Sequence, residues 1–169
     1  MPKLSRLLHL CGSYINAKYV VELGTSLGIN TRYLAQISTS TKVHTLEGAE
    51  PIFQLAAEHL NELDNVDSQM GNIDELLPIL IDQLPQIDLA YIDANHTYDA
   101  TMRYYNLLVQ KKLPSTIIVV GDIHWSSGME KAWKEIIGRE EVTLSVDLFH
   151  CGLLFFLPVT EKQEYIIWF

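Results

Sequence analysis

The sequence predicts an α/β fold: a doubly wound, mostly parallel seven-stranded sheet with an antiparallel C-terminal hairpin and helices on both faces. Two observations support this prediction. Five short apolar runs rich in β-branched residues alternate with segments of helical periodicity, as expected for parallel strands joined by helical crossovers. The C-terminal region then holds three strand-like runs with no helix between them, which indicates an antiparallel edge.

The N-terminal residues 1–17 are predicted to form one amphipathic helix. Apolar residues recur there at helical spacing: Leu4, Leu7, Leu8, Cys11, Tyr14 and Ile15. Residues 18–138 are predicted to hold the alternating strands and helices, and residues 139–169 the hairpin end. We interpret residues 1–169 as a single domain, because no linker or internal repeat interrupts them.

Five parallel strands are predicted in the alternating region, at residues 19–24, 42–48, 66–71, 87–94 and 115–123. The helix after the first strand is predicted to reach about residue 38, and the next to begin near Pro51, since proline suits a first helical turn. After the third strand, Asp74 is predicted to cap a helix that Pro78 divides into a turn and a short helix. Apolar residues at helical spacing predict the core faces of three helices: Phe53, Ala56, Ala57 and Leu60; Tyr98, Met102, Tyr105 and Leu108; Met129, Ala132, Trp133, Ile136 and Ile137.

The composition excludes several classes of partner. A net charge of -9 and a pI near 5.0 provide no basic stripe to neutralise phosphates, so we expect no nucleic-acid partner. No run approaches the ~20 apolar residues that span a bilayer, so we expect no membrane association and a cytoplasmic location. Cys11 and Cys151 lack zinc-type spacing and are expected to be reduced, buried thiols.

The candidate functional residues lie where the predicted strands end. In an open α/β sheet, ligands bind at the carboxyl ends of the strands, near the point where the strand order reverses. The strand-ending residues are Gly24, Glu47, Gly71, Asp93 and Asp122. We therefore expect these residues to meet at one edge of the sheet.

The turn after the first strand predicts a ligand that lacks a diphosphate. Gly24 and Gly28 are spaced G-x-x-x-G, which departs from the G-x-G-x-x-G of pyrophosphate-binding turns. Glu22 would repel a phosphate but suit an ammonium group. Glu47, about twenty residues further on, can accept both hydroxyls of a ribose. Each feature alone is also compatible with an ordinary turn or an exposed strand end, whereas together they favour an adenosine that carries something other than phosphate.

At this point the motifs show a family resemblance. The segment VVELGTSLGINTRYLA resembles the first motif of class I S-adenosylmethionine-dependent methyltransferases, and KVHTLEG resembles their second. The segments YIDANHTYDATMRYY and VVGDIHWSSGMEKAW are similar to the bacterial O-methyltransferase branch related to catechol and caffeoyl-coenzyme A O-methyltransferases. The resemblance implies a Rossmann-like methyltransferase fold and methyl transfer from S-adenosyl-L-methionine, with O-methylation of a small-molecule hydroxyl as the expected reaction.

The resemblance also implies which residues hold the cofactor. Glu22 would bind the ammonium group, directly or through water, and Glu47 would bind the ribose. Asn72 falls where such enzymes contact the adenine, and Asp93 is also expected beside the cofactor. The methionine part would be wrapped by the residues of the glycine turn: Gly24, Thr25, Ser26 and Gly28.

The expected catalytic residues are His96, Asp93 and His124. Asp93 lies where metal-dependent relatives supply a carboxylate to Mg²⁺ or Ca²⁺, and His96 lies at the position of their catalytic lysine. An imidazole titrates near ~6.5 and suits a general base at neutral pH, with a helix cap formed by the Asn95-His96-Thr97 segment as the less favoured alternative. The relatives carry an Asp-Asp or Asp-Asn pair after the fifth strand, whereas this chain has Gly121-Asp122. Asp93 and Asp122 are therefore the ligands if a divalent cation binds, and metal dependence is the less favoured alternative.

The substrate-binding residues are expected on the same loop as Asp122. His124 and Trp125 should face the acceptor pocket, with core packing as the alternative for Trp125. Trp133 is expected in the core. The short N-terminal region predicts either an open pocket or a homodimer. The two other functions compatible with the sequence are an S-adenosylmethionine-binding protein without catalysis and, less favoured, a nicotinamide-dependent oxidoreductase.

Overall fold

A computed structural model describes residues 3–159 and 161–168, whose strands form one eight-stranded sheet in the order β3-β2-β1-β4-β5-β7-β6-β8. The first five strands are parallel neighbours. Their bounds are β1 Tyr19–Leu23, β2 Lys42–Glu47, β3 Val66–Met70, β4 Ile87–Ile92 and β5 Lys112–Gly121. The order reverses between β1 and β4, which makes the gap between these two strands the expected ligand-binding position.

The helices cover both faces of the sheet, as predicted. They are α1 Lys3–Tyr14, α2 Ile29–Ala35, α3 Glu50–Leu60, α4 Ile73–Gln83, α5 Tyr98–Leu108 and α6 Ser127–Gly138. Helices α4 to α6 pack on one face, where Leu77, Tyr105 and Trp133 share a buried cluster. Helices α1 and α2 contribute Leu8 and Leu34 to a second cluster on the other face. None of the helices within the described ranges is both long and apolar enough to span a bilayer.

The C-terminal region forms the mixed edge of the sheet. Strand β7, Cys151–Phe155, runs antiparallel to both β5 and β6, Leu144–Asp147. Strand β8, Gln163–Ile166, pairs parallel with β6. The described chain thus has eight strands where the sequence predicted seven, because the third strand-like run joins the sheet beyond the hairpin.

Two local predictions about α4 were wrong. The cap is Asn72, whose side chain accepts a hydrogen bond from the backbone N–H of Asp74. Pro78 lies inside one continuous helix and does not divide it. A proline in a helix interior costs roughly 3 kcal/mol, but this helix buries Ile73, Leu77, Leu80 and Ile81. Since each such side chain contributes about 1.5–3 kcal/mol on burial, packing outweighs the lost hydrogen bond.

Other differences are smaller. Helix α2 ends at Ala35, before the predicted end near residue 38. Tyr14 is 87% exposed and does not belong to the buried face of α1. Trp133 is buried, as predicted. Cys151 is buried and Cys11 half-buried, and both thiols are free. Burial raises the pKa of Cys11 to about 11.

Gly152, the second residue of β7, fixes the packing of α6 against the sheet. A Cβ atom there would lie 2.3–2.7 Å from three atoms of the Trp133 ring. We therefore expect Gly152→Ala to lower the free energy of unfolding by about 2 kcal/mol through overpacking, as measured by urea denaturation. Gly138→Ala is the matched control, because a Cβ at Gly138 meets nothing within 4 Å and should be neutral or slightly stabilising. Equal stability of the two variants would contradict the prediction.

Candidate active site at the carboxyl ends of the strands

A crevice of about 570 Å³ opens over the carboxyl ends of β1 to β4. Its size suits a small-molecule ligand. It is lined by Gly24, Ser26, Glu47, Gly48, Ala49, Ile52, Gly71, Asn72, Ile73, Asp93, Ala94, Asn95 and His96. A second concavity of about 510 Å³ lies at the opposite ends of β2 and β3. Only the first one contains residues predicted to be functional, so the chemistry is expected there.

The glycine turn brings the backbone of β1 close to that of β4. Gly24 has a φ of 96°, and a Cβ there would lie 2.3 Å from the backbone oxygen of Asp93, so only glycine fits. Gly28 has a φ of 73° and precedes helix α2, where a Cβ would press against Leu60. Thr25 is buried, with its hydroxyl 2.6 Å from that of Thr45. Gly24 and Ser26 therefore face the crevice, whereas Gly28 and the Thr25 side chain shape the turn from behind.

The carboxylate of Glu47 is held in place by two backbone N–H groups. Ser26 donates to Oε2 and Ala49 donates to Oε1, each at 2.9 Å. Each oxygen can accept a further hydrogen bond, because a carboxylate oxygen accepts about two, and Glu47 lines the crevice. Glu47 is thus a pre-oriented acceptor for two neighbouring hydroxyl groups.

Glu22 lies fully buried directly beneath the turn. Its Oε2 accepts hydrogen bonds from the hydroxyls of Thr31, at 2.5 Å, and Thr45, at 2.7 Å. Its Oε1 has no hydrogen-bond partner among the described residues. The pKa of this carboxyl group is raised to about 7, chiefly by burial; the two hydroxyls oppose the shift, and the nearby charges of Asp93 and Glu47 add to it. Glu22 does not line the crevice. A cation bound in the crevice would therefore interact with Glu22 across the glycine turn or through a water molecule.

Asn72 lines the crevice but also has a structural task. Its Oδ1 caps α4, and its Nδ2 donates to Glu75 at 3.3 Å. The Asn72 side chain, which was predicted to contact the adenine, is therefore fixed at the start of α4 beside Gly71. Its position stays compatible with a contact to a base.

Asp93, His96 and Asp122 converge beside the crevice. Their potential ligand atoms lie within 4.8 Å of one another, and His96 Nδ1 lies 3.6 Å from Asp122 Oδ2. Burial raises the pKa of Asp93, which hydrogen-bonds to the Tyr91 hydroxyl. His96 and Asp122 have positive φ angles of 42° and 51°. Such backbone conformations are costly in non-glycine residues and concentrate at functional sites.

Among the described residues, neither His124 nor Trp125 lines this crevice. The Nε2 of His124 lies 2.8 Å from Asp147, and its Nδ1 lies 3.5 Å from Glu130. Its ring also stacks on Phe149. Trp125 is 73% exposed, so the core-packing alternative for it is wrong. His124 therefore ties the loop after β5 to the hairpin, and the backbone N–H of Trp125 donates to the carbonyl oxygen of Asp122 at 2.9 Å.

Sequence reasoning missed Thr31 and Thr45, which hold Glu22. The strand register was the signal that could have found Thr45, because it is the direct neighbour of Glu22 between β1 and β2. A hydroxyl beside a buried carboxylate in an otherwise apolar strand is the expected partner. Thr31 could have been identified only from the exact position of α2, which the sequence predicted approximately.

Comparisons with known proteins agree with this arrangement. Residues 21–123, more than half of the chain, match the model of a family described as a methyltransferase domain. A comparison with curated proteins finds no match.

Solved structures share the fold over most of both chains. A putative O-methyltransferase from Klebsiella pneumoniae has a TM-score of 0.80 at 20% identity, covering 94% of this chain and 81% of its own. The O-methyltransferase TomG from Streptomyces achromogenes, solved in complex with S-adenosylmethionine (SAM), has a TM-score of 0.78 at 21% identity, covering 92% and 80%. An O-methyltransferase from Bacillus cereus, solved with S-adenosylhomocysteine (SAH), has a TM-score of 0.77 at 20% identity, covering 92% and 81%.

Proposed function

Because the chain belongs to this methyltransferase family, we propose that it is a SAM-dependent O-methyltransferase that acts on a small-molecule hydroxyl. The arrangement of Glu22 and Glu47 around the glycine turn is the observation that carries the proposal. Glu47 presents two oxygens to a ribose diol, and the unpartnered Oε1 of Glu22 fits an ammonium group. The O-methyltransferase neighbours solved with SAM and SAH support the same cofactor.

The charge of the crevice favours this cofactor over a dinucleotide. Glu47 and Asp93 line it, and their carboxylates would repel a diphosphate while attracting the sulfonium and ammonium charges of SAM. All strands of the described chain belong to one sheet, so we treat the chain as one catalytic domain.

Methyl transfer depends chiefly on how the protein aligns the methyl donor with the acceptor. The reaction is an in-line displacement on a carbon that the sulfonium already activates, and positioning alone reaches effective molarities of about 10⁵ to 10⁸ M. Glu47 and the glycine turn would fix the donor, so the acceptor oxygen must approach from the side of His96. We propose that the His96 imidazole accepts the proton of the acceptor hydroxyl, because this ring lines the crevice whereas His124 is held by Asp147 and Glu130.

The magnesium or calcium ion of metal-dependent relatives does not fit this chain. Asp93 and Asp122 are present, but the third oxygen ligand is replaced by Gly121. A Cβ at position 121 would lie 2.4 Å from Asp93 Oδ1, so the Asp93 carboxylate lies directly against the position that has no side chain. A site for a hard cation needs about six oxygens, and we derive no step through such an ion.

Binding of the demethylated cofactor tests the proposed function. Isothermal titration calorimetry on the purified chain should detect SAH, and NAD should give no heat under the same conditions. Binding of NAD without binding of SAH would overturn the proposal in favour of an oxidoreductase. Binding of SAH without release of SAH from SAM, across a broad panel of phenols and sugar alcohols, would favour a cofactor-binding protein without catalysis.

Replacing His96 by alanine should slow turnover by roughly 10² to 10⁴ without weakening SAH binding, because a general base contributes by this amount. Turnover is measured as SAH release from chelator-treated protein with an accepted hydroxyl substrate. His59→Ala serves as the control, since His59 is exposed on α3. A rate unchanged by His96→Ala would remove His96 from the mechanism.

A further inference from the structure

The cluster of Asp93, His96 and Asp122 joins two loops of the sheet edge. Asp93 directly follows β4, His96 stands three residues later, and Asp122 directly follows β5. Their ligand atoms lie within 4.8 Å of one another. Three ligands of one ion with bonds of ~2.1 Å lie less than about 4.2 Å from one another, so side-chain rotations that draw the three groups together would close them around one ion.

The donor set differs in kind from an all-oxygen site. One imidazole nitrogen and two carboxylates face each other, and no side chain at position 121 can add an oxygen. Magnesium and calcium prefer six to eight oxygens. Imidazole nitrogen instead suits zinc and neighbouring transition metals, which accept three protein ligands and leave a position open.

We propose that Asp93, His96 and Asp122 form a three-ligand site for a divalent transition-metal ion of the zinc type, with preference over Mg²⁺ and Ca²⁺. The His96 imidazole and the absence of a side chain at Gly121 set this preference together. The surrounding charge is favourable, because two carboxylates face the ion and the chain carries a net charge of -9.

This site goes beyond the proposed methyl transfer and does not require the cofactor. A bound ion would occupy the imidazole nitrogen that otherwise takes the acceptor's proton, and in its place would lower the pKa of a hydroxyl coordinated to it. The open ligand position points to a hydroxyl or water as the additional ligand.

Cobalt and zinc titrations test the site on the full chain after chelator treatment. We expect one Zn²⁺ per chain by calorimetry, bound at least about 100-fold more tightly than Mg²⁺, in line with the softer donor set. Co²⁺ should give visible absorption bands without a thiolate charge-transfer band, because Cys11 and Cys151 take no part. His96→Gln and Asp122→Asn should each weaken Zn²⁺ binding by at least about 10-fold.

His124→Ala is the matched control, because His124 also faces two carboxylates, Asp147 and Glu130, outside the cluster. Its Zn²⁺ affinity should equal that of the unchanged chain. The proposal is overturned if no transition metal binds, if Mg²⁺ binds as tightly as Zn²⁺, or if His124→Ala abolishes binding while His96→Gln does not. Circular dichroism verifies the fold of each variant. SAH binding measured on the same samples separates a failure of this site from a failure of the proposed function.

Discussion

Replacing Glu47 by alanine should weaken SAH binding by about 100-fold. A hydrogen bond to a charged group contributes roughly 1.5–3 kcal/mol, and Glu47 offers one oxygen to each hydroxyl of the ribose. Its carboxylate is already fixed by the backbone N–H groups of Ser26 and Ala49, so little ordering is needed on binding. Two such bonds correspond to at least two orders of magnitude in the dissociation constant, which calorimetry with SAH measures directly.

Glu50→Ala is the control for this experiment, since it removes the same charge three residues away on the exposed start of α3. It should leave the SAH dissociation constant within about twofold. Glu47→Gln keeps one acceptor oxygen and should fall between the two variants. If Glu47→Ala binds SAH as tightly as Glu50→Ala does, Glu47 does not hold the ribose.

Glu22→Gln should stabilise the cofactor-free protein and weaken cofactor binding at the same time. In the folded chain the pKa of Glu22 is about 7, against an ordinary value of 4.5. The folded state therefore binds a proton that the unfolded state releases between these two values. The stabilising contribution of the protonated carboxyl group is complete below pH 4.5 and is lost as the pH rises through 7. Glutamine stays neutral, so the free energy of unfolding of the variant should exceed that of the unchanged chain by about 3 kcal/mol at pH 8.5.

The measurement is urea denaturation without cofactor at pH 8.5 and at pH 5.5, where the difference should shrink by more than half. SAH affinity should be roughly 10-fold lower in the variant at pH 8.5, as expected for the loss of one charge-assisted contact, and the two proteins should converge below pH 7. Glu58→Gln, the same substitution at an exposed position of α3, controls for the removal of one charge. A stability gain that does not depend on pH would show that Glu22 is not the group responsible.

The fold was predictable because its signals are local and repeated. Apolar strands and helical faces recur along residues 18–138, and the structure confirms the parallel order that they imply. The errors lie where tertiary packing outweighs a local rule. Pro78 stays helical because its neighbours are buried, and the cap moved from Asp74 to Asn72 by two residues.

The candidate site was predictable in its membership but not in its geometry. The sequence placed Glu22, Glu47, Asp93 and His96 at strand ends, and the structure gathers them beneath and around one crevice. The sequence could not show that Glu22 is buried beneath the turn, because its environment depends on Thr31 and Thr45 from other elements.

His124 shows the opposite case, because it does not line the crevice that holds the other predicted residues. Proximity in sequence to Asp122 suggested the acceptor pocket, but the hairpin supplies Asp147, which draws the ring away. Partners that come from remote segments decide where such a side chain lies, and a single sequence does not reveal them.

The close approach of Gly121 to Asp93 also restricts how this chain can change. An aspartate introduced at position 121 alone would displace the Asp93 carboxylate before it could join it, since the new Cβ and Oδ1 would overlap. A side chain at position 121 would therefore reset the Asp93 rotamer as well as add its own atoms, because the loops after β4 and β5 meet at this one contact.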